Sequence, residues 1–143
     1  MSARADDVAR RSADVMLGSD EASRALGIEL LDVGPGRARM RMRVTETMVN
    51  GHDIAHGGLV FTLADSAFAV ACNSHGVVTV ASGADVTFVA PGRLGDVLVA
   101  DAVEHTVFGR SGLTDVTVTR EDDGGVVALF RGRSRSLGRP IEP

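Results

Sequence analysis

Residues 50–76 read NGHDIAHGGLVFTLADSAFAVACNSHG. The stretch opens with turn residues and closes that opening on His56, Gly57 and Gly58. It then runs as an apolar helix, predicted over residues 57–73, in which Thr62, Asp65 and Ser66 are the only polar interior positions. A helix that is apolar nearly all round is buried rather than amphipathic. An ionised carboxylate loses its hydration on burial, so Asp65 must be neutralised, paired or kept for chemistry. The glycine pair marks a helix N-terminus, where free backbone N–H groups and a partial positive charge accept a close anion. One segment thus offers an anion-stabilising backbone and a carboxylate, the two parts that hydrolysis of an activated acyl group requires.

Outward from this helix the pattern changes from a helical to a strand period. Residues 37–44 alternate Arg37, Arg39, Arg41 and Arg43 with Ala38, Met40, Met42 and Val44, as a half-buried strand does. Residues 27–33 form its partner across the Gly34-Pro35-Gly36 turn, and residues 45–49 are a link with room for one helical turn. Four strands follow the helix, over residues 77–89, 97–108, 113–120 and 126–137. Short turns containing Gly separate them, which favours antiparallel pairing. A short helix is expected over residues 4–17, with Ser19 or Asp20 capping a further turn and residues 138–143 a tail. The expected fold is therefore α+β: one domain over residues 1–143, with a six-stranded antiparallel sheet wrapped around one long helix. A single sheet cannot cover all sides of that helix, so a second subunit is expected on its open face.

Composition bounds the function. The chain has 143 residues, 44% of them hydrophobic, enough for one core. Aromatic residues are 3%, with no Trp or Tyr, and the net charge is −4. No basic surface interleaved with aromatics is present, so nucleic acid is not an expected partner. No apolar run is long enough for a spanning helix, and the charged start lacks the apolar region of a secretory signal. Cys72 is the only cysteine, which excludes an intrachain disulfide and a multi-cysteine zinc site. A cytoplasmic protein is expected. His52 and His56 are separated by glycine-broken geometry with no third ligand, so no metal is expected.

The residues Asn50-Gly51-His52, His56-Gly57-Gly58, Leu63-Ala64-Asp65-Ser66-Ala67-Phe68-Ala69 and Ala71-Cys72-Asn73-Ser74 resemble the hot-dog-fold thioesterases. So do Phe88, Pro91-Gly92, Gly95-Asp96 and Ala128-Leu129-Phe130-Arg131-Gly132. The likeness is strongest to the phenylacetyl-CoA thioesterase group of phenylacetate degradation. Positions 85, 87 and 90 differ from that group's usual pattern, holding Asp85, Thr87 and Ala90.

The resemblance implies hydrolysis of an acyl-CoA thioester, with phenylacetyl-CoA or a ring-hydroxylated form as substrate. Coenzyme A enters as part of that substrate, and no cofactor is implied. Asp65 would be nucleophile or general base, and the Gly57 N–H the oxyanion donor. His56 and Asn50 would polarise the carbonyl or fix the loop. Gly58 and Ser82 would line the substrate site. Gly57 and Asp65 are separated by eight residues, roughly 12 Å along a helix. Both must lie within about 3 Å of the reacting atoms. The spacing therefore favours a site shared between antiparallel helices of two subunits, and the family implies a tetramer, two such dimers together. The rival readings are an acyl dehydratase or hydratase on the same fold, and a non-catalytic acyl-CoA-binding protein.

Overall fold

A computed structural model describes residues 3–142. Helix α1 spans Ala3–Gly18 and α2 Glu21–Ala25. Strands β1 (Glu29–Gly34) and β2 (Arg37–Arg43) precede a short turn of 3-10 helix at Glu46–Met48. The long helix α3 covers Gly57–Cys72. Strands β3 (Val77–Phe88), β4 (Val97–Phe108), β5 (Ser111–Arg120) and β6 (Val126–Pro140) complete the fold. β6 runs to Pro140, beyond the expected strand end at Leu137, because Val77 of β3 pairs with Pro140 and holds the last residues in the ladder.

The six strands form one antiparallel sheet in the order β1-β2-β4-β5-β6-β3. This is a hot-dog fold: α3 lies along the inner face of the sheet, chiefly against β2, β4 and β5. The alternation read in residues 37–44 holds. Ala38, Met40 and Met42 are buried beneath α3, and Arg37, Arg39 and Arg43 are exposed on the other face. Leu98, Ala100, Ala102, Val116 and Val118 continue the buried layer across β4 and β5. On the outer face Arg39 pairs with Asp101 at 3.3 Å, Arg131 with Asp115 at 2.6 Å and Arg133 with Asp85 at 2.7 Å. Exposed pairs of this kind contribute about 0–1 kcal/mol each, so they fix strand register more than they stabilise. Among the described residues no helix is long and apolar enough to cross a membrane.

Both ends of α3 are tied down. At its C-terminus Asn73 is buried and donates through Nδ2 to the carbonyls of Ala69 (2.8 Å) and Thr79 (2.9 Å). Its Oδ1 accepts from the Thr79 amide at 2.8 Å, so one side chain closes the helix and starts β3. Ser74 donates to the Ala71 carbonyl and accepts from the Gly36 amide, both at 2.7 Å, which pins the same end to the β1–β2 turn.

The middle of α3 is held by close packing. Phe68 is 1% exposed and lies over Gly132 of β6. A Cβ at position 132 would stand 2.6 Å from the Phe68 ring. The ring is walled in on every side, so Gly132→Ala is expected to cost about 1–3 kcal/mol, as overpacking of a dense core does. Thermal denaturation checks this, and an unchanged Tm would mean that the ring has room to move.

Candidate active site

The start of α3 is built by His56. Its backbone is extended (φ −59°, ψ 131°) and its Nδ1 accepts the Gly58 N–H at 3.2 Å, a side-chain cap. A backbone N–H can only donate, so Nδ1 carries no proton in this bond and the neutral ring is protonated on Nε2. The His56 carbonyl takes the Leu59 and Val60 amides at 2.9 and 3.2 Å. Three of the first four amides of the helix are thereby used. The Gly57 N–H has no partner among the described residues.

That free amide borders a groove of about 410 Å³ lined by Asn50, Ile54, Ala55, Val60, Phe88 and the segment around Pro91. Asn50 holds the loop in front of it. Its Oδ1 accepts from the His52 amide (2.9 Å) and the Ile54 amide (3.3 Å), in the manner of an Asx turn. With its oxygen so committed, its Nδ2 hydrogens have no protein partner among the described residues. Asn50 and Gly57, each with an uncommitted N–H among the described residues, thus line one mostly apolar groove.

Phe88 covers the Gly57 side of it. A Cβ on Gly57 would stand 3.0 Å from the tip of that ring, so glycine is what lets the ring approach. Sequence reasoning put Phe88 in the third strand and, with Phe61 and Phe68, among the side chains that could hold an aryl acyl group, but did not place it against Gly57. Its place follows from β3 alternation, which turns Val86 and Phe88 to the helix side and leaves Asp85 and Thr87 on the outer face.

Asp65 stands two turns further along α3 and does not line this groove. It is half-buried, on the stripe formed with Gly58, Thr62 and Ala69 that the sheet leaves uncovered. No hydrogen bond or ion pair holds its carboxylate among the described residues. Burial raises its pKa above the ordinary 3.8, and the Asp20 carboxylate nearby raises it further. Within one chain the structure therefore brings Asn50, His56, Gly57 and Gly58 together and leaves Asp65 apart. Ser82 is the bulged residue of β3 and donates to the Arg133 carbonyl at 3.1 Å rather than to Asp65. Cys72 is buried and its thiol is pushed up to about 12, first by burial and then by Glu104, which leaves it unreactive at neutral pH.

The chain belongs to the thioesterase superfamily, whose family model matches residues 52–127, more than half its length and including Gly57, Asp65 and Ser82. It is closely related to the PaaI-type acyl-CoA thioesterases and hydrolyses acyl-CoA thioesters to a carboxylic acid and free coenzyme A. Acyl-coenzyme A thioesterase PaaI of Escherichia coli K12 is 41% identical over 131 residues, 92% of this chain and 93% of that one. The solved structure of the E. coli PaaI protein from the phenylacetic acid degradation operon superposes with a TM-score of 0.93 at 39% identity. That match covers 96% of this chain and 99% of the other. The TT0310 protein of Thermus thermophilus follows at TM-score 0.78 and 37% identity, covering 82% of this chain and 98% of that one.

Proposed function

We propose that this thioesterase acts on phenylacetyl-CoA or a ring-hydroxylated form of it, at sites shared between two subunits. The observation that carries the mechanism is the uncommitted Gly57 amide at the mouth of an apolar groove. A thioester carbonyl seated there directs its oxygen at the Gly57 N–H and the Asn50 Nδ2. As the tetrahedral intermediate forms, charge collects on that oxygen and both bonds strengthen. Asp65 of the partner subunit, on the open stripe of an antiparallel α3, supplies the carboxylate. It attacks the carbonyl or takes a proton from water, and either role uses its ionised form. His56 holds the donor loop through its cap, and Gly58 and Ser82 border the acyl group. Two such sites make a dimer the minimum assembly, and the family resemblance favours a tetramer.

The substrate class rests on the groove. Phe88 lines it and is 53% exposed, and outside the groove Phe61 of α3, half-buried, meets Phe130 of β6 edge-on at 5.2 Å. Aromatic rings favour such offset or edge contacts, so an aryl acyl group has partners even without Trp or Tyr. The E. coli relative from the phenylacetic acid degradation operon supports the same class. Apolar pockets discriminate by only about 1–3 kcal/mol per methylene. Phenylacetyl-CoA is therefore expected to lead benzoyl-, hexanoyl- and acetyl-CoA by one or two orders of magnitude in kcat/KM. Release of free thiol across that panel tests it. A preference for acetyl-CoA would end the assignment.

A further inference from the structure

We propose that Asp20 is a positioning residue for this reaction, linked to the Asp65 turn of α3 by a buried chain of two serine hydroxyls. The inference rests on the role given to Asp65 above. Asp20 caps α2: its Oδ1 accepts the Ser23 amide at 2.9 Å, and its Oδ2 accepts the Ser23 hydroxyl at 2.6 Å. The Ser23 Oγ lies 2.9 Å from the Ser66 Oγ, and both residues are buried. Ser23 has one hydroxyl proton, and it is given to Asp20. The Ser66 hydroxyl must then donate to Ser23, so the chain runs one way, from Ser66 through Ser23 to the Asp20 carboxylate. Ser66 follows Asp65 directly, so this chain fixes the rotation of the α3 turn that aims Asp65 at the open stripe.

A cap for a five-residue helix needs no link to α3. The link brings a second negative charge near a carboxylate that has no cation partner among the described residues. Asp20, the cap of α2, is the charged group whose field raises Asp65, and the thiol of Cys72, on α3 itself, is neutral. Like charge disfavours ionisation, so Asp20 adds to desolvation in making Asp65 more basic than an isolated carboxylate. A stronger base is a better acceptor for the proton of water and a stronger nucleophile towards the carbonyl.

Asp20→Asn removes the charge and keeps the heavy-atom positions. Asn keeps an oxygen for the Ser23 amide and offers an N–H to the Ser23 hydroxyl, which turns its own proton to Ser66, so α2 stays capped and the chain runs in the opposite direction. The pH profile of kcat/KM on phenylacetyl-CoA is the readout, beside a ¹³C titration of the Asp65 carboxyl by NMR. The acid limb and the NMR midpoint are both expected to move to lower pH. Below the wild-type midpoint, activity relative to the plateau should be roughly threefold above wild type, the size of a screened like-charge contact. Ser66→Ala cuts the chain but keeps both charges, and is expected to lower kcat with the midpoint unmoved. If the Asp20→Asn profile and titration overlay wild type while Asp65→Asn is inactive, the role of Asp20 is overturned and that of Asp65 stands. Full activity in Asp65→Asn overturns both.

Discussion

Asp65→Asn is expected to lower kcat by at least about 10²-fold, the loss that follows removal of a positioned acid–base or nucleophilic group. The fold should survive it. Asn has the same shape, and among the described residues the Asp65 carboxylate makes no hydrogen bond whose loss would strand a partner. Stability should hold or rise at neutral pH. Burial raises the pKa of Asp65 above 3.8, so the folded chain binds this proton more tightly than the unfolded one. Stability from this group is present at low pH and is lost as pH rises from the ordinary carboxylate range through the raised value. Asn removes that loss. Activity runs the other way, since the ionised form is used. Wild-type kcat/KM should fall on the acid side at a pH above the ordinary carboxylate range. Steady-state hydrolysis and thermal denaturation, each across pH, check both. Near wild-type kcat in Asp65→Asn would remove the residue from the mechanism.

The second large effect is expected at Gly57. Gly57→Pro deletes the N–H and, like any side chain at this position, crowds Phe88. Proline is tolerated at the first position of a helix, and His56 before it already has the extended backbone that a following proline requires. Loss of an oxyanion donor costs about 10²–10³ in kcat. Gly57→Ala keeps the amide but crowds Phe88, and so measures the steric share alone. Mixing Gly57→Pro with Asp65→Asn then reads the geometry. A hybrid dimer has one site with both groups intact and one with neither. Random pairing restores about a quarter of wild-type activity if sites are shared. If mass spectrometry shows exchanged subunits but activity stays at the level of the separate variants, each site is built from one chain.

Much of this was legible in the sequence for reasons that can be named. The apolar run over residues 57–73 has no other stable place than under a sheet, and the Arg/Met alternation of residues 37–44 fixes which face of β2 meets it. The distance between Gly57 and Asp65 follows from helical rise alone. Three things were not legible. His56 is the helix cap, but His-Gly-Gly does not say whether the imidazole turns to the helix or to a ligand, since both accept the same geometry. The ring of Phe88 reaches Gly57 only through the pairing of β3 with β6, a contact between residues far apart in the chain. Asp20 was legible only as one of two candidate caps beside Ser19, and nothing local ties Ser23 to Ser66 across 43 positions. Local signals carry caps and periods, whereas long-range side-chain pairs depend on how the layers come together.

The free amide of Gly57 also bears on how such a protein changes over generations. Every amino acid except proline carries that N–H, so almost no mutation at position 57 can erase it. A replacement there alters the headroom under Phe88 instead. The walls of the groove come from separate parts of the fold: Ile54 from the loop, Val60 from α3 and Phe88 from β3. Each can drift alone without disturbing the main-chain donor. On the proposed reading, acyl preference is thus free to diverge among descendants of this chain while the oxyanion donor is inherited intact.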